Sequence, residues 1–456
     1  MRAFTIADAL RATGGKYFGD EAALKNEIRF ATSDSRTAGE GALFVAYRGA
    51  RVDGHDFMAD CLSRGAACCL SEREPKGEGE TPCIAVDSTL SGVARLAAWY
   101  RGLFEIPVVG ITGSVGKTTA KEMIWAVLNR RLRTHKNRMN FNNEVSLPLM
   151  ILETPEDAQA AVFEMGISDF GEMTRLSRMV RPNIAVMTNI GDAHLEFLKD
   201  HAGVLRAKSE VFENMPADGL AILNGDDETL AAYECPLRKL TFGLDPRNDF
   251  YAENIENRAG DGMRMTLCHH GARVKLEIPA FGAHMVYAAL MGAAVGWALG
   301  LTDAEIAAGV AAYETVGNRA RLIEADGFTI LSDCYNANPN STAAALDSLR
   351  ALPGRHVAIL GDMLELGPQS PQLHRETGAR AAKDGVALTI ACGKLAEDVF
   401  AGAKAAGGAA CHYPDKARLL PALAELIRPG DCVLVKASHS MGFEDVVEAL
   451  KALKLK

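Results

Sequence analysis

The stretch Gly110-Ile111-Thr112-Gly113-Ser114-Val115-Gly116-Lys117-Thr118-Thr119 decides the fold class of this chain. It completes the apolar run Val108 to Thr112 and opens a helical pattern running from Lys117 to Leu132. A strand that enters a glycine-rich turn and leaves as a helix lets backbone N–H groups and a helix N-terminus cradle phosphates. The glycines allow close approach of the backbone, Lys117 brings charge to the terminal phosphates, and the Thr118 hydroxyl can ligate Mg²⁺. One position departs from the strict Walker pattern: Ile111 stands where the pattern has glycine, and glycine stands at 110. The stretch predicts an ATP site built from Gly110, Thr112, Gly113, Ser114, Val115, Gly116, Lys117, Thr118 and Thr119.

Outward from this loop, apolar runs alternate with helical stretches. Ala160 to Glu164, Ile184 to Thr188 and Leu220 to Leu223 read as buried strands ending in polar or glycine-bearing loops, which predicts a doubly wound α/β unit. Ahead of it, Ala42 to Tyr47 and Cys83 to Val86 alternate with the amphipathic Leu90 to Tyr100, the pattern of a small α/β domain. A break near Phe104 to Pro107 separates the two. Beyond the strand-like patch Met263 to Ile278 come the alanine-rich helix His284 to Leu299, a second helical segment and a linker-like stretch, Glu314 to Arg321. The runs Thr329 to Asp333, His356 to Gly361, Leu388 to Gly393 and Cys432 to Lys436 then predict a Rossmann-like domain. The expected α/β domains are 1–104, 105–318 and 319–456: a small N-terminal domain, a central P-loop ATPase domain and a C-terminal Rossmann-like domain.

Composition narrows the function classes. A chain of 456 residues exceeds what one hydrophobic core organises, and 48% hydrophobic with 23% charged residues is an ordinary globular balance. A net charge of -9 argues against a nucleic-acid binder, while leaving room for local positive charge around phosphates. The ten cysteines form no CxxC pair, so reduced, mostly buried thiols are expected rather than a zinc site. No apolar run reaches the roughly 20 residues that span a bilayer. The N-terminus also lacks the pattern of a secretory signal, so a soluble cytoplasmic protein with no membrane insertion is predicted. No repeat or low-complexity tract is visible.

Other candidate residues lie at strand ends. Glu164 closes Ala161-Val162-Phe163, so its carboxylate is expected beside the phosphate loop, as a metal ligand or a solvated loop residue. His194, in Thr188-Asn189-Ile190-Gly191-Asp192-Ala193-His194-Leu195-Glu196, follows another strand to the same rim, as a site residue or a surface polar one. Lys208 sits in the helical stretch Arg206 to Phe212, where composition alone reads as a surface lysine.

Taken together these motifs resemble the Mur ligases over essentially the whole chain. The marks are Gly113 to Thr119, Asn140-Phe141-Asn142-Asn143 before Leu147-Pro148-Leu149, Glu164-Met165-Gly166, and Thr188 to Glu196. Further marks are Asp333-Cys334-Tyr335-Asn336-Ala337-Asn338-Pro339, Gly361-Asp362-Met363-Leu364-Glu365-Leu366-Gly367, and Lys436 ahead of Ser438. The segments around Tyr335 and Asp362 favour the branch that ligates D-alanyl-D-alanine to a UDP-N-acetylmuramoyl-tripeptide. The resemblance implies catalytic roles for Lys117, Glu164, His194 and Lys208, with Thr118, Glu164 and His194 around Mg²⁺ and Lys208 carbamylated. It implies that His284, Asp333, Tyr335 and Asn336 hold nucleotide, and that Asp362 and Glu365 lie near the incoming dipeptide. Asn142, Asn143, Asn338, Lys436 and Ser438 join the substrate set. In the N-terminal domain, Ser33, Asp34, Ser35, Arg36, Arg51, Asp53, Gly54 and His55 resemble the segments that receive the UDP-sugar end. A monomer is implied.

The resemblance breaks at two places. The family's His-Asn-x-x-Asn pattern near adenine reads His284-Met285-Val286-Tyr287-Ala288 here, so both amides that would recognise the base edge are replaced by apolar residues. The family's Lys-Gly-Ser-Arg reads Lys436-Ala437-Ser438-His439, which exchanges a fixed cation for a titratable one. Two alternatives follow: a sister ligase adding a single amino acid to the peptide or to a folate, and a nucleotide-binding protein that has lost catalysis.

Overall fold

The computed structural model describes residues 1–258, 262–315, 317 and 320–455. The expected boundary at 318 and 319 lies outside the described residues.

The strand Val108–Thr112 lies inside a nine-stranded sheet. On one side of it run Ala160–Glu164 and Thr134–Lys136, and on the other Ile184–Met187, Leu220–Asn224 and Arg238–Gly243, all parallel. Side chains alternate across the sheet, as strand geometry requires. Val108, Ala161 and Phe163 join one core, and Val109, Ile111, Ala160 and Val162 join the core on the opposite face. Both faces are therefore covered, the condition that makes these strands read as continuous apolar runs. The second face packs against the helices Lys117–Leu128, His284–Ala298 and Asp303–Ala311. Contact there is close: a Cβ on Gly309 would lie 2.4 Å from the Val127 Cα.

Strand order reverses about Val108–Thr112, because the chain passes first to Thr134–Lys136 and Ala160–Glu164 and then crosses to Ile184–Met187. Sheets of this kind bind ligands in the crevice outside the strands' carboxyl ends at such a point.

The N-terminal sheet runs Lys16–Phe18, Cys83–Ala85, Cys68–Ser71, Ala42–Val45, Phe30–Thr32, parallel except for its first strand. Its core is continuous with one face of the central sheet, through Tyr100 and Leu147 among others. The buried Tyr100 hydroxyl donates to the Thr154 carbonyl at 2.8 Å and accepts from the Arg2 N–H at 2.6 Å, joining the two units. The C-terminal sheet runs Arg321–Glu324, Thr329–Ser332, Asp431–Lys436, Arg355–Gly361, Leu388–Cys392, Ala410–Tyr413, parallel except at Arg321–Glu324.

Several expectations change. The phosphate-loop helix stops at Leu128 rather than Leu132, because Asn129 to Arg131 leave the core and the chain turns to begin Thr134–Lys136. Arg321, expected in a linker, pairs with Ser332 as a strand residue. The patch Met263 to Ile278 is a hairpin, Gly262–His269 with Ala272–Ile278, and Phe250–Arg258 adds a strand whose polar second half hides it from a periodicity reading. All ten cysteines are free thiols. Among the described residues no helix is long and apolar enough to cross a membrane.

Candidate active site at the carboxyl ends of the central strands

The phosphate loop is held from beneath by the segment after Ile184–Met187. Ser114 N–H donates to the Asn189 carbonyl at 3.0 Å, and Val115 N–H donates to Asn189 Oδ1 at 3.0 Å. Gly191 N–H donates to Ser114 Oγ at 2.9 Å, and Thr188 Oγ1 donates to the Val115 carbonyl at 2.5 Å. Gly113 has to be glycine twice over: its φ is +141°, and a Cβ would lie 1.9 Å from Thr188 Oγ1. Gly116, left-handed at φ +81°, turns the chain into the helix that begins at Lys117. Lys117 Nζ folds back to the Gly113 carbonyl at 2.7 Å and the Ser114 carbonyl at 3.3 Å. The Thr112 hydroxyl oxygen is buried with no hydrogen-bond partner among the described residues.

Glu164 sits where the strand reading placed it, and it is buried. Its Oε2 accepts from the Thr118 hydroxyl at 2.7 Å, and its Oε1 accepts from Asn142 Nδ2 at 2.7 Å. Asn137, 0% exposed, holds the Glu164 peptide on both sides, accepting from its N–H at 2.9 Å and donating to its carbonyl at 3.2 Å. A buried cation also faces it: Lys121 Nζ lies 3.8 Å from Glu164 Oε2, 3.2 Å from Glu122 Oε1, and donates to the Met139 carbonyl at 2.8 Å. Glu122 is bridged in turn by Lys136. An uncompensated buried carboxylate would cost several kcal/mol, which this alternation of charge offsets.

Lys208, expected on composition at the surface, is 1% exposed at the end of the helix His201–Ser209. Burial, and secondarily the Lys117 ammonium, push its pKa well below the ordinary lysine value. His194 takes a left-handed backbone, φ +56°, and its Nδ1 lies 2.6 Å from Oε2 of Glu365, itself left-handed at φ +62°. The hydrogen bond from His194 holds the Glu365 carboxyl below its usual range against the opposing effect of partial burial. Thr118 and Glu164 are thus brought together, while His194 is engaged across the domain seam. No group of three or more His, Cys, Asp or Glu side chains is poised around one metal position among the described residues.

On the C-terminal side, Lys436 is buried and its Nζ donates to Asp333 Oδ2 at 2.6 Å and to the Asn336 carbonyl at 2.9 Å. The same pair faces His284: burial lowers its pKa, Asp333 opposes this and Lys436 adds to it. Tyr335 packs against His439 with ring centroids 5.2 Å apart. Asn338 caps the helix Pro339–Arg350, accepting from Ser341 N–H at 2.8 Å. Asp362 Oδ1 accepts from Ala396 N–H at 2.8 Å, and Ser438 Oγ accepts from Leu364 N–H at 3.0 Å. Asn143 accepts from Ser146 N–H at 3.1 Å, a loop cap beside Asn142. Met285 and Ala288 point into the core, while Tyr287 Oη donates to Asp226 Oδ2 at 2.9 Å.

The N-terminal candidates lie apart from the phosphate loop. Asp34 pairs bidentately with Arg36, at 2.9 and 2.7 Å, and this holds its carboxyl at about 2. Ser33 and Ser35 flank that pair, and Arg64 donates to the Ser35 carbonyl. Asp53 accepts from His55 Nδ1 at 2.5 Å, and His55 Nε2 accepts from Glu72 N–H at 3.3 Å. His55, expected to meet substrate, is 3% exposed with both ring nitrogens engaged inside the domain. Gly54 leaves no room for a Cβ, which would lie 2.7 Å from the Tyr47 carbonyl oxygen; Arg51 is exposed on the same loop.

Four residues were not foreseen: Lys121, Asn137, Asn189 and Asn340. Lys121 is one turn beyond Lys117 on the same helix face, a spacing that could have signalled it. Asn189 lies within Thr188 to Glu196, where the family resemblance gives it no role.

The chain matches known proteins along its length. The family described as "Mur ligase middle domain" matches residues 111–296, "Mur ligase, glutamate ligase domain" matches 318–439, and "Mur ligase family, catalytic domain" matches 27–99. The UDP-N-acetylmuramoyl-tripeptide–D-alanyl-D-alanine ligase of Bacillus subtilis is 36% identical over 430 residues, 93% of each chain. A crystal structure of MurF from Acinetobacter baumannii superposes with a TM-score of 0.92 at 30% identity, covering 99% of this chain and 100% of that one. The MurF ligase of Thermotoga maritima in complex with ADP superposes at 0.83 with 28% identity, covering 95% and 99%. Matches to successive parts of one family, in order along three α/β units whose phosphate loop, Glu164 and C-terminal seam meet at one rim, make this chain a member of the Mur ligase family.

Proposed function

We infer that this enzyme uses ATP to join D-alanyl-D-alanine to a UDP-N-acetylmuramoyl-tripeptide, giving the pentapeptide precursor of peptidoglycan. The observation that carries the reading is the Lys117, Thr118 and Glu164 cluster at the strand ends, in a chain alike over its whole length to ligases of that name.

The tripeptide's terminal carboxylate attacks the γ-phosphorus of ATP, forming an acyl phosphate and releasing ADP. The amine of D-alanyl-D-alanine then adds to the activated carbonyl, and the tetrahedral adduct collapses to the amide with loss of phosphate. Lys117, freed from its loop carbonyls by the nucleotide, offsets charge on the transferring phosphoryl group. The amides at the start of the helix Lys117–Leu128 orient the phosphates. No covalent enzyme nucleophile is required.

The oxygen donors suit a hard cation. Thr118 and Glu164 would hold Mg²⁺, with His194, and the bound ion would supply further neutralisation of phosphate charge. Lys208 fits this set only as a carbamate, since its bare ammonium would repel the ion. Its lowered pKa favours the neutral amine, which adds to CO₂ and loses one proton as the N–C bond forms, so that the buried nitrogen carries an anionic oxygen ligand. Asp333, Tyr335, Asn336 and His284 face the nucleotide from the seam. Asp362 and Glu365 lie toward the dipeptide. The segments at Asp34 and Asp53 receive the UDP end. Docking of the C-terminal domain on the rim excludes water that would hydrolyse the acyl phosphate.

The test is phosphate release from ATP with each component omitted in turn and the product identified by mass. Release that needs both D-alanyl-D-alanine and the UDP-muramoyl tripeptide, with a pentapeptide product, supports the reading. Release supported by a single amino acid instead would move the enzyme to a sister activity, and no release would leave a nucleotide-binding protein.

A further inference from the structure

The segment Thr188 to Glu196 touches two things at once. Through Asn189 and Gly191 it holds the backbone of Ser114 and Val115 in the phosphate loop. On its other side it meets the C-terminal domain at Asn340, whose Oδ1 accepts from Asp192 N–H at 3.0 Å. Gly191 makes this approach possible: a Cβ there would lie 3.0 Å from the Asn340 side-chain amide. His201 braces the same turn, with its Nε2 2.8 Å from Asp192 Oδ1. A few residues on, Glu365 meets His194, and Gly367 lies so close that a Cβ would be 3.1 Å from the Glu196 Cα. Asn340 is exposed and lies in the first turn of the helix Pro339–Arg350, so it contributes little to the core of its own domain.

We propose that Asn340 is a positioning residue for the ligation: by reading the Gly191-Asp192 backbone, it docks the C-terminal domain onto the segment that holds the phosphate loop. Nucleotide at the loop sets the shape of Gly191 and Asp192 through Ser114 and Asn189. The C-terminal domain senses that shape through the Asp192–Asn340 hydrogen bond, beside the His194–Glu365 contact. The chemical consequence is that the acyl-phosphate step and the amine attack share one closed geometry. The kinetic part of this inference rests on the ligase reading above; the docking part does not.

The experiment compares wild type with Asn340→Ala, Asn340→Asp, Gly191→Ala and the double variant Gly191→Ala/Asn340→Ala. Asn340→Ala is expected to lower kcat about five-fold, the worth of one hydrogen bond. KM for ATP and the melting temperature should stay at wild-type values. Asn340→Asp keeps the acceptor and should recover the rate. Gly191→Ala displaces the Asn340 side chain and should cost a similar factor, and the double variant should fall no further, because both remove one contact. Small-angle scattering with Mg²⁺ and ADP provides a readout independent of turnover: Asn340→Ala is expected to have a larger radius of gyration than wild type or Asn340→Asp. A double variant that loses about twenty-five-fold, the product of two independent hydrogen-bond losses, overturns the proposal. So does an Asn340→Asp variant as slow as Asn340→Ala, or an unchanged radius in Asn340→Ala. Unchanged scattering behaviour fails this inference alone, whereas phosphate release without the dipeptide fails the ligase reading.

Discussion

The central rim and the Asp34–Arg36 turn of the N-terminal domain both carry charged residues, yet the protein treats them in opposite ways. At the rim, Lys121, Lys208, Glu164 and Thr118 are 0 to 3% exposed, with Lys121 beside Glu164 and Glu122, and Lys208 near Lys117. In the N-terminal domain, the Arg36 side chain is 87% exposed and simply pairs with its neighbour Asp34. Burying an ion costs several kcal/mol unless it is paired, whereas an exposed pair is worth about 0 to 1 kcal/mol. A buried polar cluster therefore has to be held by many contacts, and its geometry identifies its chemistry. An exposed turn costs little to maintain, so its geometry alone assigns it no substrate.

The comparison breaks first at Lys117. Lys117→Ala is expected to reduce phosphate release by about a thousand-fold or more while leaving the fold intact, since electrostatic stabilisation of the transferring group is lost; an active variant would remove the rim from the chemistry. Glu164→Gln should follow, with turnover down roughly a hundred-fold and a raised Mg²⁺ requirement, measured by titrating the metal at saturating ATP. An unchanged Mg²⁺ profile would mean that the Thr118–Glu164 pair is structural.

Lys208 sharpens the contrast in a different way. Intact-mass measurement under bicarbonate should show one added CO₂ on wild type and none on Lys208→Ala. Equal masses would leave Lys208 as a buried neutral amine. Tyr100→Phe tests the seam between the two regions: losing the bonds to Arg2 and Thr154 should cost about 1–3 kcal/mol in denaturant unfolding, with kcat near wild type. The smallest expected effect is Arg36→Ala, whose denaturant unfolding should be indistinguishable from wild type because the pair is exposed to solvent. It should act only on KM for the UDP-linked substrate; a change in kcat as well would draw the N-terminal turn into the chemistry.

Much of the fold was legible because its signals are local. Val108 to Thr112 and Ala160 to Glu164 are apolar runs closed by turn residues, and strands buried on both faces have to look that way. The phosphate loop was legible because few backbones other than Gly113 and Gly116 accept its dihedrals. The strand Phe250–Arg258 was hidden, since its second half is solvent-exposed and carries no alternation. In the site, Glu164 could be placed from its position at a strand end. Lys208 enters only through the family resemblance and Lys121 through nothing stronger than its spacing from Lys117, because a lysine in a helical stretch has the composition of a surface residue whether or not another element covers it.

The sequence by itself determined the phosphate loop, the α/β grammar of the three units and the residues expected at the strand ends, all of which follow from short-range periodicity and backbone restriction. Only the tertiary structure decided that Lys208 is buried, that Lys121 faces Glu164, that His55 turns inward, and that Asn340 meets Gly191. Each of these depends on which distant segments pack together, and burial and pairing arise from that packing rather than from neighbours along the chain.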